Sequence, residues 1–363
     1  MLESENDSFI EYFGFREKDI RLLRLMFADN TTENDVLDIL SQYDIFDEFL
    51  GVNLLLAFLV NRHPGIKHPL VPVLQGVVRY FQYKNAFLLE GFWKIGKELN
   101  RRGIPILIIK GLVMRHLYPR YLRHMYDVDF VVPRRRIDEA VEIATEMGAT
   151  IVIKTLHSVD MIFSDNMKFD IHSVVIKEDS SVDDKIWRSS RRDVAFGVKV
   201  LIPSTENLIF SVLTNFYCNL IYDDFFWDTS KHTVSAKSLA WICDIVNILK
   251  TNKSINWNII MENGEKTGLT YQIKQLLDVF KSILPGMLPN TYDIESKKFN
   301  PESAEKKIKR DKKIIKLFQL RDKLLRASVT ELAASAQMTS PTSDSAKINA
   351  CAASADVNAD AST

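Results

Sequence analysis

The chain has 363 residues, 46% of them hydrophobic, and equal numbers of acidic and basic side chains give a formal net charge of zero. That length and apolar content support two or three units with real cores, while the neutral balance argues against a globally electropositive nucleic-acid binder. Cys218, Cys243 and Cys351 form no C-x-x-C pair and the histidines show no HExxH-like spacing, which argues against a disulfide framework and against zinc.

The opening MLESENDSFIEYF is acidic and carries no signal pattern, and no apolar run reaches the length of a membrane span, so a cytoplasmic location is expected. Residues 1–80 have helical periodicity, including the short apolar stretch Leu54 to Val60. They are interrupted at Asn30, Thr31 and Thr32 and by a three-proline loop from His63 to Pro72. A helix over 83–101 then leads into a mixed α and β core that ends near Pro203. Within that helix GFWKIGK, residues 91–97, has P-loop spacing. No strand precedes it and Glu98 stands where Ser or Thr would be needed, so it is read as helix.

The segment IPILIIKGLVMRHLYPRYLRHMYDVDFVV changes period twice. Ile104–Ile109 reads as a strand, 111–118 as a short helix, and Met125–Val132 as a second strand. In a strand, side chains two residues apart share a face, so Asp127 and Asp129 would project together and offer the oxygen ligands that magnesium takes. A hairpin follows, with Ser164, Asp165 and Asn166 as its turn; in its second strand Asp170 and His172 face opposite to Phe169 and Ile171. Asp170 can then join the other two aspartates, and three carboxylates can hold the ion pair used in nucleotidyl transfer. Lys110 and Gly111 stand where a strand gives way to a helix, where free N–H groups favour phosphate. The blander readings are a surface lysine for Lys110 and a hydrogen-bonding role for His172.

From Ser204 the pattern is helical to about Pro289, with Trp241 read as core and Asp244 either capping a pocket or facing solvent. Arginine groups at 134–136 and at 188, 191 and 192 could hold an extended acidic substrate such as RNA, but read first as solvated faces. Residues 300–338 read as a basic helix and 339–363, rich in Ala, Ser, Thr, Asp and Asn, as disordered.

The run GIPILIIKG, then LYP, Arg123, DVDFVV and FDIH, resembles the DNA polymerase β-like nucleotidyltransferases, and more narrowly the bacterial group of uncharacterised nucleotidyltransferases, with a Lys-Gly pair in place of the usual Gly-Ser. The likeness runs from about Lys84 to Pro289, through LAWICDIVNIL and LLDVFKSILPGMLP. The resemblance implies an α+β fold in which a polymerase β-like core with a mixed sheet, residues 81–203, is flanked by helical regions at 1–80 and 204–299. It implies metal ligands at Asp127, Asp129 and Asp170, and phosphate contacts at Lys110, Gly111 and Arg123, although Arg123 has the alternative of pairing with an aspartate. The expected activity is metal-dependent transfer of an NMP group from an NTP, ATP in the first instance, to an acceptor hydroxyl on a small molecule, protein or RNA, with magnesium or manganese as cofactor. A decayed nucleotide-binding or protein-interaction module on the same fold is the alternative.

Overall fold

The structure, a computed structural model, describes residues 16–44, 50–117, 123, 125–177, 179–223, 234–252 and 254–288. The basic helix and the tail expected beyond residue 299 lie outside the described residues. Three helices open the described chain: α1 (Glu17–Phe27), α2 (Glu33–Ser41) and α3 (Leu50–Asn61). The break expected at Asn30 to Thr32 is a helix start. The Thr32 hydroxyl accepts from the Asp35 amide at 3.2 Å and the Asp35 carboxylate accepts from the Thr32 amide at 3.0 Å, so two otherwise unpaired donors are satisfied together.

Helix α4 (Val71–Arg101) is longer than the helix expected from residue 83. Pro72 sits in its first turn, where a missing N–H costs nothing, so that proline begins the helix instead of ending a loop. The segment GFWKIGK lies wholly inside α4, and its glycines serve packing. A Cβ on Gly91 would fall on the Met167 side chain and one on Gly96 would fall on Val198, so these positions let the helix lie close against the sheet.

Among the described residues the core is a seven-stranded mixed sheet in the order β3-β4-β5-β2-β1-β7-β6, built from β1 (Leu107–Ile108), β2 (Val128–Val131), β3 (Thr150–Lys154), β4 (Ser158–Ile162), β5 (Lys168–His172), β6 (Arg191–Ala195) and β7 (Val198–Ile202). β2 runs parallel to β5 and β1 parallel to β7; the other pairs are antiparallel. Helices α5 (Lys110–Leu117), α6 (Ile137–Glu146) and α7 (Ser180–Ser189) are set between strands. The strands expected over 104–109 and 125–132 are present but shorter, because only their middles find ladder partners.

Helices α8 (Thr205–Asp223), α9 (Val234–Thr251), α10 (Trp257–Thr267) and α11 (Thr270–Ile283) complete the described chain. The N-terminal helices pack on the C-terminal ones. α1 and α3 pack against α9, α1 also packs against α11, and Arg24 donates to the carbonyls of Ser282 and Ile283 at 3.1 and 2.9 Å. Among the described residues no helix is long and apolar enough to cross a membrane.

Candidate active site

The in-register pairing of three strands creates the site. Asp129 on β2 lies opposite Asp170 on β5, and Asp170 lies opposite Asp160 on β4. Partners directly across a ladder share a face, so three carboxylates line up on one side of the sheet. His172, two residues beyond Asp170, points the same way, as the alternation of β5 requires. Ligand atoms of Asp129, Asp170 and His172 all lie within 4.8 Å of one another.

Asp127 is placed differently from the expectation. It stands in the bend before β2, so the alternation that unites Asp127 with Asp129 does not extend to it. Asp129 is buried, whereas Asp127 opens to solvent at the rim and stays outside the tight group. It is close enough to feel its neighbours: the protein mass around it and the Asp129 charge push its carboxyl up to about 6.

Lys110 reaches into this cluster. Its ammonium lies 2.5 Å from Asp129 Oδ1 and 3.2 Å from His172 Nε2. Its backbone has φ +49°, a left-handed conformation that costs a lysine about 1–2 kcal/mol. Such strain at a non-glycine residue is characteristic of sites where a side chain must be aimed. Gly111 next to it admits Met125, whose Cγ would lie 3.1 Å from a Cβ at that position. The glycine therefore also serves the close packing of the start of α5 on the approach to β2.

Burial disfavours every charge here, and pairing decides the outcome. Burial raises the Asp129 carboxyl, but the Lys110 ammonium and the His172 hydrogen bond at 3.1 Å outweigh it and hold Asp129 well below the usual range. Asp170 is raised by burial and more than restored by His172, whose Nε2 lies 2.9 Å from its Oδ2. For His172 burial and Lys110 favour the neutral ring, yet the two carboxylates carry its pKa above the ordinary value. With Nε2 donating to the carboxylates, the approach of Lys110 is a meeting of two donors, bridged by Asp129. The other oxygen, Asp170 Oδ1, is buried with no donor among the described residues. The adjacent Asp160 carboxyl, raised to about 6 by burial and by the Asp170 charge, supplies a donor only when protonated. Carboxylate oxygens, one of them unpartnered, beside an imidazole form a donor set that fits a divalent cation.

Arg123 is not free toward this cluster. Its Nε lies 3.0 Å from each carboxylate oxygen of Asp244 on α9. Asp244 is buried, which raises its carboxyl to about 6 against the pull of the guanidinium. The aspartate left open between pocket and solvent is thus a pocket-wall residue. A cavity between the end of the sheet and α8 and α9 is lined by Lys110, Arg123, His172, Asn215, Trp241 and Asp244. Trp241 is only partly core: it meets Phe216 edge-on at 4.8 Å between ring centroids and also faces the cavity.

Sequence reasoning missed three contributors. Asp160 was legible in principle, since the turn at 164–166 sets the hairpin register and puts 160 opposite 170. Asn85 on α4 is buried; its side chain donates to the Arg123 carbonyl at 2.9 Å and accepts from the Met125 amide at 3.1 Å, pinning the segment that leads to Asp127. The partnership of Arg123 with Asp244 spans 121 positions and carries no local signal.

A mixed α+β sheet carrying crowded carboxylates near the start of a central strand, beside a lysine at a helix start, is the arrangement that the sequence resemblance implies. The chain matches the model of an uncharacterised nucleotidyltransferase family over residues 52–285, more than half its length, and belongs to that family. No curated protein matches it. Among solved structures it is similar to the antibiotic-resistance factor ANT(2'')-Ia in solution, at 16% identity over 55% of this chain and 96% of that one, with a TM-score of 0.34. It is also similar to the lincosamide antibiotic adenylyltransferase LnuA in its lincomycin-bound crystal form, at 12% identity over 41% of this chain and 96% of that one, TM-score 0.28. A third is the crystal structure of an antigenic nucleotidyltransferase-like protein from Paracoccidioides brasiliensis, at 14% identity over 52% of this chain and 92% of that one, TM-score 0.30. At this distance nothing about substrates is carried over from them.

Proposed function

We propose that the chain is a cytoplasmic, metal-dependent enzyme that transfers an NMP group from an NTP to an acceptor hydroxyl. The observation that carries the reading is the in-register pair Asp129 and Asp170, with His172 between them and Asp170 Oδ1 lacking a donor among the described residues. Asp129 and Asp170, with Asp127 at the rim, would hold magnesium or manganese, which supplies neutralisation of phosphate charge and activation of the acceptor hydroxyl.

The chain's own groups divide the remaining work. Lys110 and the backbone N–H groups at the start of α5 take the outer phosphates of the NTP. Arg123, paired with Asp244, lines the same cavity and is assigned a further phosphate contact. His172 fixes the orientation of Asp129 and Asp170. The acceptor oxygen attacks the α-phosphorus as the bond to the β-phosphate oxygen breaks, pyrophosphate departs, and the acceptor proton passes to Asp170. The cavity between the sheet and α8 and α9 receives the acceptor, with Asn215 and Trp241 on its wall.

The test is incubation of the protein with magnesium and each labelled NTP, alone and with cell extract, followed by detection of released pyrophosphate and of the labelled product. Tight NTP binding that ignores magnesium, with no pyrophosphate from any NTP, would point instead to a binding module on the same fold.

A further inference from the structure

Four aromatic side chains are markedly exposed among the described residues, Tyr80, Tyr83, Trp93 and Tyr126. Tyr80 and Tyr83, 48% and 74% exposed, project from the outer face of α4, and Tyr126, 47% exposed, immediately precedes Asp127. Lys84, one turn beyond Tyr80, lies with its ammonium 4.5 Å from the centre of the Tyr126 ring. Tyr126 and Tyr80 are near enough to interact electrostatically, and Lys84 feels both the Asp127 carboxylate and the Lys168 ammonium. Aromatic faces left in water cost free energy unless something covers them, and a lysine set against such a face holds its charge at the edge of the shelf.

We infer that this tyrosine shelf binds the nucleobase of the donor NTP, with Lys84 receiving the α-phosphate; the inference rests on the transferase reading given above. The order of groups carries it. Tyr126 carries the Lys84 ammonium 4.5 Å from its ring centre and immediately precedes Asp127, which in turn feels the Asp129 carboxylate and the Lys110 ammonium. A nucleoside triphosphate presents the same sequence: a planar base, an α-phosphate, the metal-bridged oxygens, then the outer phosphates. A neutral sugar ring would stack on tyrosine but leave two lysines unmatched. An extended nucleic acid would call for a basic track, which a chain of zero net charge with paired arginines does not advertise. Stacking reads a π-face and not hydrogen-bonding edges, so the shelf favours purines over pyrimidines by ring area without selecting one purine.

The test is calorimetry on the full chain with magnesium and no acceptor, using ATP, UTP, AMP and inorganic tripolyphosphate as probes. In the wild type ATP should bind more tightly than UTP and than tripolyphosphate. Tyr126→Ala should weaken ATP roughly tenfold, the scale of one aromatic–base stack, and leave tripolyphosphate unchanged, while Tyr126→Phe keeps the wild-type affinity. Lys84→Gln should weaken AMP and ATP by the same factor. The inference is overturned if Tyr126→Ala leaves ATP binding intact, including the case in which it raises only the KM for the acceptor, or if it weakens ATP and tripolyphosphate equally. Wild-type protein that binds neither ATP nor tripolyphosphate would remove the transferase reading itself. Wild-type protein that binds both with equal affinity would remove the shelf alone.

Discussion

The Lys110 ammonium sits 2.5 Å from Asp129 Oδ1, on a carboxylate of the group that could hold a divalent cation. The lysine is in effect a tethered counter-ion. Two unit charges at about 4 Å interact by roughly 4 kcal/mol at the effective dielectric of a protein surface, so an ammonium in this place must oppose an incoming cation. A triphosphate offers the lysine a new partner, and by linkage metal and NTP then favour each other.

It follows that Lys110→Met should tighten magnesium binding to the nucleotide-free protein, by about tenfold if a third of that interaction is realised. The same change should weaken ATP more than AMP. Manganese titration followed by paramagnetic resonance, with and without ATP, measures both. Weaker metal binding in the nucleotide-free variant would mean that Lys110 shapes the site and does not compete for it.

Asp127 and Asp129 should separate in stability although both bear on turnover. Asp127→Asn keeps shape, removes a charge that its neighbours repel, and should abolish pyrophosphate release while leaving the melting temperature unchanged or slightly raised. Asp129→Asn strips the buried partner of Lys110 and an acceptor of His172, and should cost roughly 1–3 kcal/mol. Melting curves of the metal-free variants check this, and a large loss in Asp127→Asn would mark that residue as structural.

How far the site could be read in the sequence depended on distance along the chain. Strand alternation placed Asp170 with His172, and the strand-to-helix change located Lys110, because both are matters of adjacent residues. For Asp127 the rule has no hold, since β2 begins one residue later and alternation says nothing about a bend, although Asp127 still feels Asp129, Asp170 and Lys110. Pro72 and α4 were misread because a proline that breaks a helix interior is favoured in a first turn. The packing of α1 and α3 on α9 and α11, and the Arg123 pairing with Asp244, are encoded in tertiary complementarity for which one sequence has no periodic signal.

The nucleotide-free protein should lose stability as pH rises through the window from 3.8 to about 6. The Asp127 and Asp160 carboxyls, like that of Asp244 outside the cluster, are raised to about 6, so over that window the native state binds more protons than the unfolded chain. A raised carboxylate contributes stability that is present below the unfolded value and lost through the folded one. Magnesium competes with those protons, so its affinity should rise over the same window. Urea unfolding of the metal-free protein and metal titration at pH 5 and pH 7.5 should therefore move in opposite directions. Parallel trends would show that the two carboxyls are not crowded in solution.

The last prediction separates the two roles that Arg123 can play. Asp244 is buried and its carboxylate accepts two 3.0 Å contacts from Arg123 Nε, so Asp244→Ala alone should be costly, about 3–5 kcal/mol by the usual penalty for breaking a buried pair. Replacing both partners by apolar residues of similar size, Arg123→Met with Asp244→Leu, removes the stranded charge and should recover most of that loss. If Arg123 is only a strut, the double variant should also recover NTP turnover. If the guanidinium also meets phosphate in the shared cavity, stability returns while turnover stays depressed and the KM for NTP rises. Thermal melts of the two variants, with NTP kinetics on the double variant, give the answer. Restored stability together with restored turnover would remove Arg123 from the phosphate-binding set and leave Lys110 and the start of α5 to hold the triphosphate.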